Sequence, residues 1–596
     1  MIKLLRYIKP LYWFFIILIL LAVYIQVSAD LKMPEYLSTI LNNAGILEHN
    51  RVNGIPFDEA TKNVVIDIIW ENGLKMLLCA GISIVATIIT SLLSARVSTG
   101  FSHDLRIQLY NKIQSLSLEE IDNFSTSSLI TRTTNDIFQV LMVVVMSLRI
   151  AVSAPLMAIK GIISAQEQAS TSNLNLIVIL SVISLVILVT IIFLIVLPKF
   201  KRVQSLTDKL NLVTRENLTG IRVVRANNAQ DYEENKFNDV NIDLSKTQIF
   251  VNRVMSMLNP GMIIIMNFTS LAILWIGAYA INNNVLPIGS VFAFQQYTMM
   301  ICMAFMQLIM IFIMLPRGQV SANRINEVLN SNNLILDPSE SKYSLETGTI
   351  EFKNVSFSYQ QGEEPVINNI SFKVNNGETL AIIGSTGSGK TTILNLINRF
   401  YEASTGEVLV NGINVKEFKQ HDLHNLISFV PQKSILFRGT IETNLKFGNE
   451  IATDEDMIHA LKISQAYDFI SKLEDGLHSL VAQGGSNFSG GQKQRLCIAR
   501  AIIKKANIIM FDDSFSALDL KTDKALREAL KNEAEKTTKI IVAQRIGTIL
   551  DADKILVLDD GKIAGLDKHE NLMKNCSVYQ EIAYSQLSKE ELDNAN

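Results

Sequence analysis

The sequence predicts two folds joined in one chain: a membrane α-helical domain of six transmembrane helices with long cytosolic extensions, fused to an α/β P-loop domain. Three observations predict it. Apolar runs of roughly the 20 residues that cross a bilayer at the helical rise recur up to about residue 320. After about residue 346 polar and apolar segments alternate as in a water-soluble domain. Within that stretch a strand-like run (Thr379 to Ile383), a glycine-rich loop and an apolar-periodic helix (Ile393 to Phe400) follow one another.

The chain of 596 residues is too long for one hydrophobic core, and its positive mean hydropathy, +0.25, belongs to the first half. A net charge of -3 and a pI near 6.2 argue against nucleic acid as a partner. Cys79, Cys302, Cys497 and Cys576 are scattered without metal-ligand spacing and read as unpaired thiols. Lys3, Arg6 and Lys9 precede an apolar run from Leu11 to Ala29, which could be mistaken for a cleaved signal. The run's length, its continuation into Asp30 to Pro34 and the apolar segments that follow make it a retained first span.

Six spans are expected at about 11–33, 74–97, 138–164, 174–198, 255–281 and 288–316. The connection from Lys199 to Arg253 is rich in Lys and Arg, whereas the links near Gln166 to Asn173 and Asn282 to Pro287 contain none. That asymmetry puts both termini in the cytosol of a multi-pass cell-membrane protein. The bias towards Asn, Ile and Lys suits an AT-rich bacterial genome. The connections at about 98–137 and 199–254 are helical in pattern and too charged for lipid. They are expected to be levers that turn back near Leu118 to Phe124 and Asn217 to Val223 and touch the second domain. The domain bounds are then 1–330 for the transmembrane domain, 331–348 for a linker of Asn, Ser, Asp, Pro and Glu, and 349–596 for the second domain.

In the last span, Met299, Met300, Met303, Met306, Met310 and Met314 accompany Phe292, Phe294 and Phe305. Thioethers and aromatics mould to varied apolar ligands, and they also serve as ordinary lipid-facing or interhelical packing. The amides of Gln295, Gln296 and Gln307 favour a cavity, because an amide in lipid needs a partner. The candidate cargo cavity is therefore Gln295, Gln296, Met299, Met303, Met306, Gln307 and Met310. Asp30 is expected at the outer interface, and Arg149 in a structural ion pair.

GSTGSGKT spans Gly384, Ser385, Thr386, Gly387, Ser388, Gly389, Lys390 and Thr391, with Thr392 following. Its glycines let backbone N–H groups turn onto phosphate, the helix N-terminus adds partial positive charge, Lys390 bridges the outer phosphates and Thr391 offers a hydroxyl to magnesium. ATP with Mg2+ is the expected cofactor. The apolar run Ile508 to Phe511 ends in Asp512 and Asp513; Asp512 suits magnesium, and a carboxylate one residue on normally polarises the attacking water. FSGGQKQR, from Phe488 to Arg495, opens a further helix and supplies a second phosphate cradle. One nucleotide has no evident use for two cradles, so Ser489, Gly490, Gly491 and Gln492 are expected to cap ATP held by another subunit.

On these motifs the chain resembles the ABC transporter family, specifically exporters that fuse six spans to one ATP-binding cassette. The resemblance implies that Tyr359 stacks on adenine. It implies that Gln432, in VPQKSILF, touches magnesium and senses the membrane levers, and that Ser516, Ala517, Leu518 and Asp519 form the loop that communicates across the dimer. Two positions depart from the family pattern. Where glutamate usually follows the magnesium aspartate, this sequence has Asp513, and the switch histidine is replaced by Gln544 in VAQR. A carboxylate drawn back by about 1 Å can cost on the order of a hundredfold in rate. An amide, moreover, carries no imidazolium charge.

These departures resemble the weakened half of heterodimeric bacterial multidrug exporters. They imply a partner half-transporter with glutamate and histidine at the equivalent positions, whose fast site this chain's intact signature completes. The site with catalytic positions Asp513, Gln544 and Gln432 would then hydrolyse slowly, and the cargo would be small amphipathic drugs or related compounds transported outward across the membrane. Lipid flipping, peptide export and a non-transporting ATP-gated regulator remain open on the same scaffold.

Overall fold

The computed structural model describes residues 2–52, 59–168, 172–283, 285–359, 364–533 and 536–586. Parts of the two short links expected between spans, at 169–171 and 284, lie outside the described residues. By contacts the chain divides into two units, Met1–Gln114 with Thr126–Ser331, and Ser115–Ser125 with Asn332–Asn596.

The first unit is helical. Six helices are long and apolar enough to cross a membrane: Pro10–Arg51, Glu59–Ser115, Thr126–Gln168, Leu174–Thr219, Gln230–Asn282 and Ile288–Leu329. They run to between 42 and 57 residues, longer than the spans expected from hydropathy alone. The first helix continues through Pro34 to Val52 instead of ending near residue 33. Beyond Pro34, Thr39 donates to the carbonyl of Glu35 and Asn43 to that of Thr39. The core of the unit joins Ile19, Val23, Val27 and Leu31 of the first helix to Leu174, Ile273, Phe294 and Ile301. Tyr297 lies in the same core and donates its hydroxyl to the carbonyl of Leu31 at 2.9 Å, since a phenol taken into an apolar interior needs an acceptor.

Arg149 corrects an expectation. Its side chain is exposed on the helix Ile137–Gln168, and no ion pair to it forms among the described residues. The charge that enters the bundle on that helix is Lys160, which donates to Ser28 Oγ at 2.8 Å and lies 3.8 Å from the centroid of the Tyr24 ring. At the other end of the same run, a π-helical turn, Arg132–Asp136, is tied to the last helix. Arg132 donates to the carbonyl of Arg324 and pairs with Glu327, both at 2.8 Å, and Ser321 donates to Asp136 at 2.8 Å. The two expected turning points are short helices, Leu118–Phe124 and Ile221–Ala226, and the first of them packs with the second unit.

The second unit is built on a six-stranded sheet in the order Lys562–Asp567, Lys554–Asp559, Thr379–Gly384, Thr538–Val542, Ile508–Asp512, Ile427–Val430. All neighbours are parallel except the first pair. Ile508–Asp512 and Thr538–Val542 are buried on both faces, which is why they read as unbroken apolar runs instead of alternating ones. A four-stranded antiparallel sheet, Ile350–Phe357 among its strands, covers one side.

The segment after Ser331, which reads as a linker, is strapped to this unit. Arg399 is 2% exposed; it donates to the carbonyls of Leu336 and Phe418, both at 2.8 Å, and to Glu402 at 2.9 Å. The backbone N–H of Gln420 donates to Asp337, and Ser341 bonds Asp422. Arg399→Ala should cost about 3 kcal/mol, because the buried Phe418 carbonyl, the part-buried Leu336 carbonyl and the Glu402 carboxylate lose their donor. Thermal unfolding of the purified chain, followed in the second unit, measures this.

Candidate functional site

The site grows from the carboxyl ends of adjacent parallel strands, where open α/β sheets hold ligands. Register places Val542 beside both Ile382 and Asp512. The chain segments that leave those strands, beginning at Gly384, Asp513 and Ala543, therefore emerge side by side. Gly384 closes the first strand so near its neighbour that a Cβ there would sit 2.2 Å from the carbonyl oxygen of Leu558. Gly389 takes φ +96, which L side chains rarely adopt, and from it the helix Lys390–Ile397 begins, three residues before the expected Ile393. The sequence pattern places the start late because Lys390 to Thr392 are polar, yet their backbone is already helical.

Lys390 Nζ donates to the carbonyls of Gly384 at 2.9 Å and Ser385 at 2.6 Å, curling over its own loop. Burial pushes its ammonium pKa down, while Asp513 and Asp512 pull it up. Ser388 Oγ is buried and has no hydrogen-bond partner among the described residues. An unpaired hydroxyl inside a loop of inward-turned N–H groups fits a phosphate, so the residues present suit ATP. Thr391 Oγ1 donates to Asp512 Oδ1 at 3.0 Å, which brings together the hydroxyl and carboxylate that would hold magnesium. Burial raises the Asp512 carboxyl pKa, and the neighbouring Asp513 raises it further. A divalent cation would reverse that cost.

Asp513 sits at φ +48 with its N–H on the carbonyl of Val542. Two amides converge on its Oδ2, Gln544 Nε2 at 2.9 Å and Gln432 Nε2 at 3.5 Å. The two positions that depart from the family pattern are thus direct partners. Burial raises the pKa of Asp513, and the bonds from Gln432 and Ser516 oppose it. Tyr359 bonds Thr392 at 3.1 Å and meets Phe357 and Tyr401 edge-on, with centroids 4.8 and 5.1 Å away. Tyr401 in turn donates to Asp122 of the short helix Leu118–Phe124 at 3.4 Å. A polar and aromatic chain therefore runs from the phosphate-loop helix to that short helix. Burial and the Asp122 charge push the Tyr401 phenol up to about 12.

Ser489 caps the helix Gly490–Ile502. Its Oγ accepts from the Gln492 N–H at 3.3 Å, and its own N–H donates to Gln492 Oε1 at 2.9 Å. Ser489 and Gly490 are exposed, and no hydrogen bond joins Ser489–Gln492 to Gly384–Thr391 among the described residues. The loop after Asp513 is held within the chain. Ser516 Oγ donates to the carbonyl of Asp513 at 2.9 Å, Ala517 and Leu518 follow, and Asp519 accepts from Thr522 N–H at 3.0 Å.

Three residues here escape the sequence reading. Arg545 donates to the carbonyls of Ser516 and Leu518, at 3.0 and 3.3 Å. Buried Gln494 reaches from the SGGQ helix to the carbonyl of Asp513 at 3.5 Å. Gln586 clamps the backbone on either side of Arg545, donating to the carbonyl of Gln544 at 2.7 Å and accepting from the Ile546 N–H at 2.8 Å. Arg545 and Gln494 stand inside motifs already singled out; nothing in the sequence marks Gln586. Gln586→Ala should free that loop, with amide exchange of residues 543–548 rising about fivefold, the equivalent of about one lost hydrogen bond. Hydrogen–deuterium exchange measures it.

In the membrane unit, Gln296, Met299, Met303 and Gln307 line one cavity of about 300 Å³ together with Asp30 and Ser153. The other three candidates lie elsewhere. Gln295 turns away and donates to Ser270 Oγ at 2.6 Å, Met306 packs beside Leu185, Met262 and Cys302, and Met310 is 52% exposed and is not part of the lining. At the helical repeat positions 296, 299, 303 and 307 share one face, with Met306 at its margin, whereas Met310 is on that same face past Gln307, so periodicity alone does not divide the candidates.

The family described as ABC transporter transmembrane region matches residues 15–305, and the family described as ABC transporter matches residues 367–516. An uncharacterized ABC transporter ATP-binding protein of Mycobacterium tuberculosis (strain ATCC 25618 / H37Rv) is 37% identical over 574 residues, covering 94% of this chain and 96% of the relative. YgaD of Bacillus subtilis (strain 168), whose name describes a multidrug export ATP-binding/permease protein, is 30% identical over 492 residues, covering 80% and 83%. The solved structure of a bacterial Atm1-family ABC exporter with ATP bound shares the fold, with a TM-score of 0.77 at 22% identity, covering 94% of this chain and 98% of that one.

Proposed function

This chain belongs to the ABC transporter family, as a multi-pass membrane protein whose ATP hydrolysis is coupled to transport, and from that premise we propose that it is the weak-site half of a heterodimeric bacterial exporter of amphipathic compounds. The observation that carries the reading is the Asp513 carboxylate, short by one methylene and tied at 2.9 Å to the amide of Gln544. Both groups sit where a carboxylate should polarise water and a cation should meet phosphate. With both altered, the pocket of Gly384–Thr391 grips ATP together with Mg2+ and hydrolyses the ATP slowly.

In this reading the loop N–H groups, Ser388 and Lys390 hold the phosphates, Thr391, Asp512 and Gln432 hold magnesium, and Tyr359 takes the adenine. The exposed Ser489 and Gly490, with the half-buried Gly491 and Gln492, complete the partner's site, and Ser516 to Asp519 lie at the dimer contact. Basic residues before the first span and in the 199–253 connection favour cytosolic termini. The name of YgaD, the thioether cavity and the absence of basic residues from its lining favour amphipathic cargo.

The test is purification through a tag on this chain. A partner half-transporter bearing glutamate and histidine at the equivalent positions should co-purify, and the isolated chain should hydrolyse ATP poorly. A brisk, stable homodimer would overturn the reading, as would loss of the complex's turnover from Asp513→Asn alone. Stimulation of ATPase by drugs and not by lipids separates drug export from lipid flipping.

A further inference from the structure

Asp30 was expected at the outer interface of the first span, and the structure places it in the wall of the Gln296–Gln307 cavity. That cavity draws on three helices, with Gln26, Val27 and Asp30 from the first, Ser153 and Met157 from Ile137–Gln168, and the Gln and Met face from Ile288–Leu329. From Gln296 to Gln307 it extends about 16 Å along the last helix, the rise of 11 residues. Its surfaces are thioether and amide, with one carboxylate.

That carboxylate has a hydrogen bond but no counterion. Ser83 Oγ donates to Asp30 Oδ1 at 2.5 Å, and no Lys, Arg or His pairs with Asp30 among the described residues. The two nearest candidates are accounted for. Lys160 is turned to Ser28 and the Tyr24 ring, and Arg149, on the helix face of Ser153 and Met157, lies outside the lining. A carboxylate within a transmembrane segment is costly and is normally paired or turned towards a water-filled path or a ligand. A serine hydroxyl orients it but leaves its charge uncompensated.

We propose that this cavity binds lipophilic cations, with Asp30 as the counterion, Gln296 and Gln307 as polar contacts and Met299, Met300 and Met303 as the adaptable apolar wall. The inference rests on the export reading and names its cargo class. A delocalised cation on an apolar body suits the site on each count. It needs few hydrogen bonds, which the sparse amides match, and it sheds little water on entering. Thioethers mould to bulky apolar groups. A lipophilic anion of the same shape would meet Asp30 as a like charge and find no cation in the lining.

Tetraphenylphosphonium and tetraphenylborate are such a pair, nearly identical in shape and opposite in charge. The experiment measures the binding of each to the tagged complex in nanodiscs, with empty nanodiscs subtracted to remove partitioning into lipid. Asp30→Asn should weaken phosphonium binding at least about tenfold and leave borate binding equal or tighter, whereas Asp30→Glu should keep the wild-type preference. Gln307→Glu, which adds a second carboxylate to the same wall, should tighten phosphonium binding and remains informative if Asp30→Asn does not fold. ATP binding at Gly384–Thr391 reports that each variant is folded. Phosphonium binding that none of these changes alters would overturn the proposal. Phosphonium bound through Asp30 but never moved by ATP would remove the export reading and keep the site. ATP-driven export of neutral compounds without cation preference would do the reverse.

Discussion

Gly490→Asp should stop ATP turnover of the assembled transporter, to below about one hundredth of the wild-type rate, without unfolding this chain. A Cβ at Gly490 meets nothing within 4 Å, and the residue is exposed in the first turn of the helix that Ser489 caps. The fold therefore has room for the side chain, and an acid in the first turn complements the helix dipole. On the proposed reading, what the aspartate would disturb is the phosphate of a nucleotide held by the partner chain. Two like charges about 4 Å apart at an effective dielectric near 20 repel by roughly 4 kcal/mol, more than the 2.7 kcal/mol or so of a hundredfold loss. Phosphate release by the complex measures the loss, and the thermal midpoint of the chain checks the fold. Unchanged turnover would show that Ser489 to Gln492 complete no partner site.

Asp513→Glu combined with Gln544→His should speed hydrolysis at this chain's own site about a hundredfold. On the proposed heterodimer reading, the assay uses a complex whose partner has lost its catalytic carboxylate, so that only this site turns over. The present pair is self-satisfied, because Gln544 Nε2 and Gln432 Nε2 both donate to Asp513 Oδ2. The longer side chain returns the carboxylate by about 1 Å towards the attacking water, and the imidazole brings a donor that carries charge when protonated. Each single change should recover far less. Glutamate alone leaves an uncharged amide at 544, and histidine alone faces a carboxylate that is still too short. Residues in direct contact couple non-additively, and the excess of the double variant over the two singles measures that coupling. A double variant no faster than wild type would show that these two positions are not what slows the site.

The parts of this protein legible in the sequence are those whose physics is local. A phosphate loop needs a strand end, a few glycines and a helix start within about 15 residues, so Gly384 to Thr391 could be read directly. Spans follow from apolar length, although their true extents do not. The helices run to as many as 57 residues because polar helical segments, such as the stretch after Pro34, carry no hydropathy signal yet still close their own backbone hydrogen bonds. The cavity shows both sides of this. The spacing 296, 299, 303, 307 already described one helical face, but that periodicity does not say where along the face the cavity ends or which margin it reaches, and Gln295, Met306 and Met310 were grouped with it although none of them lines the cavity.

By itself, the sequence determined that the chain is membrane-spanning, that it carries the phosphate loop of an ATP-binding cassette and an SGGQ helix start, and that the residues at 513 and 544 depart from the pattern. Each of these depends on residue type within a short window. Only the tertiary structure decided who meets whom: that Asp513 and Gln544, 31 residues apart, are hydrogen-bonded, that Tyr401 reaches Asp122 across 279 residues, that Gln586 holds the backbone around Arg545, and that Asp30 shares a cavity with the last helix. The reason is physical. Strand order and helix packing set distances between segments remote in the chain, and no local propensity or periodicity encodes them.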